Sequence, residues 1–389
     1  MTTRHALLRS LAACTLLPLA LAMPATALAQ NEIRIGFHAP LTGFAASDGK
    51  SSLMGAELAV EQLNAAGGVL GRKLALTVLD DQARPDQAVP LANRLIGDGH
   101  KVVISGSYSG PTRASAGVFH AAKIPYVSAY AIHPDITRAG NFVFRTSFMG
   151  EVQGRAAARL IGDNLKKKKV TVVFVNNDFG QALVAGFKDA APKFGVQIAS
   201  EYSFAMADRQ FGSIVASIKR DEPEVIYLPA YFFNGGPLVA QLRAGGVTAP
   251  IVGTEGIDTE KFIEVAKGAA EGVLVTTSLD RDSKDPEMRR FIEDFQKRHN
   301  TPADMVAAST HTAVRVVADA IRRAGTADDP AKLRDAIAAT KDLQTATGRI
   351  SFNNLGEVYK SAVIQVVREG KFRGYAVIDD PVLLAPPTR

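Results

Sequence analysis

The sequence predicts an α/β protein of two similar three-layer lobes, each built on a mainly parallel sheet, with a hinge between them. Three observations carry this. Short apolar runs rich in Val and Ile alternate with longer stretches of helical periodicity. The alternation runs twice, from Ile33 to Thr146 and again from Val170 to Gly253. In each half about 25 residues lead from the third strand to the fourth, enough for one crossover helix and so for right-handed βαβ connections.

Ile33–Phe37 is the first strand, followed by the loop Pro40-Leu-Thr-Gly43. Leu53, Ala56, Val60 and Leu63 share one face of a helix predicted from Leu53 to Leu63, which Gly67-Gly68 ends. Leu74–Leu79 reads as a strand and Ala88–Ile96 as a helix. Val102–Ile104, β-branched throughout, is the third strand. Pro111 is expected at the first position of the next helix, which Gly117–Lys123 continues. Tyr126–Ala129 and Asn141–Thr146 complete the first set of strands. The second set opens with Val170–Val175, the loop Asn176–Gly180 and a helix to about Phe194. It continues with strands at Val196–Tyr202, Val225–Leu228 and Ile251–Gly253, alternating with helices over Ile214–Lys219 and Leu238–Leu242. Gly272–Leu279 is a further strand. Helices over Pro286–His299, Asp304–Ala324 and Ala331–Thr340 follow. Late strands at Gly348–Phe352 and Ala362–Arg368 are expected to return and complete the lobes. The chain then crosses between lobes near Met149, Leu279 and Glu357. Residues 30–149 with 280–357 form one lobe, and residues 150–279 with 358–389 the other.

Residues 1–29 read as a secretory leader, bacterial in character. Arg4 and Arg9 precede the apolar run Ala12–Ala22, and Ala27-Leu-Ala29 gives a small-x-small cleavage site before Gln30. Leu11-Ala-Ala-Cys14 has the outline of a lipoprotein box but stands at the start of the apolar run rather than after it, which argues against lipidation. Cleavage leaves 360 of the 389 residues, enough for two domains with cores of their own. Cys14, the sole cysteine, departs with the leader, so no disulfide forms in an oxidising compartment that would permit one. The leader carries two Arg and no acid, so the formal charge falls from +6 to +4, too mild to point to nucleic acid. No later apolar run approaches the ~18 residues of a membrane span. Lys166–Lys169 precedes a strand and reads as a solvated turn.

The chemistry centres on Val102 to Thr112. An apolar strand gives way to Ser105-Gly-Ser-Tyr-Ser-Gly110, and a helix begins at once. Free N–H groups of that helix, serine hydroxyls and glycine-permitted close approach suit a carboxylate or other small anion. The same residues also make an ordinary βα connection. Other chemistries fail on spacing. Gly43 to Ser51 resembles a phosphate loop but has five residues between its glycines where the motif requires four. Gly106-Ser-Tyr-Ser-Gly110 resembles a nucleophile elbow with tyrosine at its centre in place of serine. The histidines after the leader show no metal-ligand spacing, and no dinucleotide fingerprint follows a strand. Binding is therefore favoured over catalysis, with no metal or cofactor. Tyr108-Ser109, Tyr130-Ala131-Ile132, Phe179, Tyr231 and Glu255 all stand at predicted strand ends, where an α/β cleft binds its ligand.

Taken in order, these pieces resemble the periplasmic solute-binding proteins of branched-chain amino acid ABC transporters, of the type I fold. Ile33-Arg-Ile-Gly36 with Pro40-Leu-Thr-Gly43 looks like the family's opening. Asn64-Ala-Ala-Gly-Gly68, Gly71 and Asp80-Asp81 continue it. Ala131 to Thr137, Asp178-Phe-Gly180, Gly253-Thr-Glu-Gly256 and Ala270-Glu-Gly-Val273 follow in the right order, so the likeness spans essentially the whole chain after the leader. The resemblance implies that Ser109 and backbone amides hold a ligand carboxylate. It further implies that Glu255 holds an ammonium and that Tyr231 closes over the ligand. The chain departs from the family at Ile132, where a threonine is common, at Phe179, where tyrosine is, and at Asp48, where an aromatic is. Tyr130 replaces a small residue, and Ala83 and Tyr108 stand where the family often has a disulfide. These departures leave open a different amino acid, an amide, or an aromatic or aliphatic organic acid as ligand; Glu255 and Asp48 could still supply the hydrogen bonds a buried ammonium needs, and Tyr108 is a further expected ligand contact. The resemblance also implies a periplasmic location and an inner-membrane ABC permease as partner, with a sensory partner as the alternative. The protein is expected to act as a monomer.

Overall fold

β1 (Glu32–Ala39) pairs in parallel with β2 (Lys73–Asp80) on one side and with β3 (Val103–Ser105) on the other. β4 (Tyr126–Ser128) and β5 (Val143–Arg145) extend this sheet, so its order is 2-1-3-4-5 and every pairing is parallel. The helices that connect these strands are α1 (Ala46–Ala65), α2 (Pro85–Gly97), α3 (Ser109–Ala121) and the single turn α4 (Asp135–Arg138). The three-residue strands β3, β4 and β5 are buried along their whole length, as strands sandwiched between helices must be. The structure, a computed structural model, describes residues 32–388. The leader expected over residues 1–29 lies outside the described residues.

The second sheet is larger. After α5 (Gly150–Arg159), β6 (Lys169–Val175), α6 (Asp178–Ala190), β7 (Gln197–Phe204), α7 (Gly212–Asp221), β8 (Val225–Leu228), α8 (Phe232–Ala244), β9 (Ile251–Thr254), α9 (Glu260–Ala266) and β10 (Leu274–Thr277) follow in turn. Strands β6 to β10 are parallel. The chain then runs through α10 (Pro286–His299), α11 (Met305–Ala324) and α12 (Pro330–Ala338), forms a hairpin of β11 (Leu343–Thr345) and β12 (Gly348–Ile350), and returns. β13 (Ala362–Arg368) and β14 (Lys371–Ile378) add antiparallel to the edge beside β10, giving the order 14-13-10-9-8-6-7. β7, at the opposite edge, alternates in burial, whereas the central β8 is buried throughout.

Several sequence expectations shift. The strand expected at Gly348–Phe352 joins neither main sheet; it is one arm of the β11–β12 hairpin. α5, α9 and β14 were not read from the sequence. α1 begins at Ala46 rather than Leu53, so the Ser- and Gly-rich stretch with the phosphate-loop outline is helical. Its low helix propensity is overridden by packing. Asp48 supplies a favourable acid in the first turn. A Cβ on Gly55 would lie 2.2 Å from the Ala307 carbonyl oxygen, so only glycine lets α1 and α11 approach this closely. That contact ties the late helices α10 and α11 to the first sheet.

Candidate functional site

The strand order reverses between β1 and β3 in the first sheet and between β6 and β8 in the second. Loops leaving the carboxyl ends of strands at such points splay apart and leave a crevice. All the residues singled out from the sequence except Ile132 line one narrow cavity beyond these strand ends.

From the first sheet, β3 turns through Gly106 into α3. Tyr108 is the extended cap residue and Ser109 the first helical one. The helix thus starts two residues before the Pro111 start expected from the sequence. Pro111 becomes its third residue, where no N–H has an intrahelical partner, so the ring is tolerated there as well. Ser109 consequently sits at the helix terminus itself, where unpaired N–H groups and the helix dipole favour an anion. Its Oγ accepts a hydrogen bond from the Ile132 N–H at 3.1 Å, which leaves the hydroxyl hydrogen to be donated elsewhere. The Ile132 side chain is fully buried and does not line the cavity, while its amide holds Ser109. The Tyr130 hydroxyl donates to the Gly106 carbonyl at 2.7 Å, bracing the loop between β3 and α3. The Ala131 carbonyl accepts from Arg145 Nη1 at 3.0 Å, and the His133 carbonyl from Nη2 at 2.7 Å. Arg145 is entirely buried and paired with Glu357, also entirely buried, at 3.1 Å. One ion pair therefore joins the end of the first sheet to the returning chain and fixes the shape of the 130–133 loop.

From the second sheet, β6 leads to Phe179 in the first turn of α6, where Asn177 Oδ1 caps the helix by accepting from the Gly180 N–H at 3.0 Å. β8 leads to Tyr231, held by its own N–H donating to Asn234 Oδ1 at 3.0 Å. β9 leads to Glu255. Gln153 of α5 donates to Glu255 Oε2 at 3.1 Å. Burial pushes the Glu255 carboxyl up to about 8, and Asp258 adds to this. The Gln153 hydrogen bond and the charges of Lys360 and Arg145 only partly offset it. Asp48, on the first turn of α1, is pushed up to about 7, first by burial and also by Asp304, while the Tyr108 hydroxyl donating at 2.7 Å pulls it down. Asp48 is helical, although the helix read from the sequence begins only at Leu53.

Gly256, Met305 and Val306 also line the cavity and were not anticipated. The Asp304 cap before α11, whose carboxylate accepts from Ala307 N–H at 2.8 Å, could have marked the last two as facing the strand ends. One wall thus offers a hydroxyl and a helix N-terminus, the other a carboxylate short of positive charge, with aromatic rings between. Such a cavity is complementary to a small molecule carrying an anionic and a cationic group close together.

A family model for periplasmic binding proteins matches residues 32–371. Leu/Ile/Val-binding protein homolog 3 of Brucella melitensis is 33% identical over 85% of this chain and 89% of its own length. Among solved structures, a leucine-binding protein of Thermotoga maritima matches with a TM-score of 0.84 at 27% identity, covering 89% of this chain and 99% of its own. The substrate-binding protein of a branched-chain amino acid transporter from Streptococcus pneumoniae, in complex with isoleucine, matches with a TM-score of 0.83 at 25% identity over 89% and 99% of the two chains. Matched across both sheets in sequence and in fold, this chain belongs to the periplasmic binding protein family.

Proposed function

We propose that the protein captures a small amino acid in the periplasm and delivers it to an inner-membrane ABC permease, without chemical turnover. Residues 30–149 with 280–357 act as one lobe and residues 150–279 with 358–389 as the other. The ligand carboxylate lies at the N-terminus of α3, taking the Ser109 hydroxyl and first-turn N–H groups. Its ammonium pairs with Glu255 and replaces the missing cation beside that acid. Tyr108, Tyr130, Ala131, Phe179, Tyr231 and Asp48 enclose the remainder. The observation that supports this best is that Ser109 follows the first sheet and Glu255 the second, yet both line one cavity. A ligand that touches both then favours the closed arrangement over the open one, which is the signal a permease can read.

The test is calorimetry of the wild type and Glu255→Gln against an amino acid and its deaminated analogue. Glu255→Gln should weaken amino-acid binding by roughly 2–5 kcal/mol, the range for truncating one partner of a buried charge pair. It should leave the deaminated acid unaffected or better bound. If both proteins prefer the deaminated compound, the ligand is an organic acid. Unchanged affinity of both proteins for every amino acid would remove Glu255 from the site.

A further inference from the structure

An amino acid held in this way engages Glu255 and leaves a second acid in the same cavity. Asp48 is 3% exposed and lines the cavity. Its Oδ2 accepts from the Tyr108 hydroxyl at 2.7 Å, but its Oδ1 is buried and has no partner. No Lys, Arg or His lies within ion-pair distance of it among the described residues. The same wall carries tyrosine rings, Met305 and Val306. The Tyr108 hydroxyl already serves Oδ2 and the Tyr130 hydroxyl serves Gly106, so neither is free for Oδ1. A buried carboxylate oxygen without a donor is costly and is rarely left so without a function.

We infer that the ligand carries a hydrogen-bond donor besides its α-ammonium, a hydroxyl, amide or second amine on its side chain, and that Asp48 selects it. This rests on the amino-acid function proposed above. An aliphatic side chain would seal Oδ1 in apolar surroundings with nothing to bond, whereas a donor-bearing side chain of the same shape satisfies it. Sites built to hydrogen-bond a ligand reject the isostere lacking that group far more strongly than an apolar wall rejects the reverse. Asp48 is thus a specificity-determining residue.

Two isosteric pairs test this, threonine against valine and asparagine against leucine. A thermal-shift panel of amino acids on the wild type, Asp48→Asn and Asp48→Leu comes first, followed by calorimetry on the four compounds. The wild type should bind the donor-bearing member of at least one pair about tenfold or more tightly. Asp48→Leu should abolish or invert that preference. Asp48→Asn, which keeps the size, should reduce it and serves should the leucine variant not fold. Valine and leucine leading in the wild type, with all four compounds weakened equally by Asp48→Leu, would overturn the inference while leaving the amino-acid function standing. If no amino acid stabilises the wild type and deaminated acids do, the amino-acid function itself fails and the inference falls with it.

Discussion

Tyr108 and Tyr231 stack across the cleft with ring centroids 4.4 Å apart and planes 19° from parallel, although one follows β3 of the first sheet and the other β8 of the second. Phe179 also stacks on Tyr231 at 4.5 Å, and Phe233 lies against it at 5.5 Å. Phe44 of the first sheet's side meets Phe233 edge-on at 5.2 Å. These rings form a continuous column between the two sheets, each pair contributing ~0.5–1.5 kcal/mol beyond its buried area. The column also limits the ligand: no further ring fits between Tyr108 and Tyr231 while they are stacked.

Tyr231→Ala removes the centre of this column. The ligand-free variant should therefore sit more open than the wild type, with a larger radius of gyration by small-angle scattering. It should bind ligand more weakly by about 1–3 kcal/mol, as expected for a large aromatic at the centre of a closed contact. An unchanged radius in the variant would show that the rings stack without holding the cleft.

Ser109→Ala has two consequences, because the hydroxyl both accepts from Ile132 and is placed to donate to the ligand. Binding should weaken by roughly 1–3 kcal/mol, the value of a hydrogen bond to a charged group. The empty protein should also lose about 1 kcal/mol of stability, since the buried Ile132 N–H is left unpaired. Calorimetry and denaturant melts read the two effects separately. Full affinity in a folded variant would exclude Ser109 from the carboxylate contact.

The order of strands and helices was legible because short apolar runs are followed by turns rich in glycine, proline or polar residues and then by a helical period. The site was legible for the same reason, since its residues stand at strand ends. What was missed followed from tertiary packing. α5 shows no clean apolar stripe because small residues bring it against α6: a Cβ on Gly186 would lie 2.0 Å from the Glu151 carbonyl oxygen. With α5 unread, Gln153 and its hold on Glu255 were invisible. The helix read from Leu53 left Asp48 outside it, yet α1 begins at Ala46, where its packing against α11 overrides the low helix propensity of serine and glycine. Ile132 was singled out by its place at a strand end, which does not distinguish a side chain facing the cavity from one packed behind it.

The two acids of the cavity and one nearby lysine make stability depend on pH in opposite senses. Asp48 rises from an ordinary 3.8 to about 7 and Glu255 from 4.5 to about 8, burial being the largest cause of each. Between the ordinary and the raised values these acids hold more protons in the folded protein than in the unfolded chain, so their contribution to stability falls as pH rises from about 4 to 8, opposed up to about 6.5 by His311, which burial lowers to about 3. Lys360 donates to the Thr146 carbonyl at 3.1 Å and to Thr347 Oγ1 at 2.5 Å, and burial lowers it from 10.5 to about 7 against the pull of Glu255. Across that interval the unfolded chain holds the extra proton, so stability rises again from about pH 7 to 10.5. The ligand-free protein should therefore show a shallow minimum of melting temperature near pH 7 to 8. Glu255→Gln should flatten the descending limb, because a neutral side chain has no proton to lose. An amino acid supplies an ammonium to Glu255 and lowers its pKa, so binding should release protons near neutrality and weaken as pH falls below about 8. Melts of both proteins from pH 5 to about 9.5, with calorimetry in buffers of different ionisation enthalpy, measure each limb and the proton release. Parallel melting profiles for wild type and variant would mean that Glu255 titrates at its ordinary value and that the cleft stays hydrated when empty.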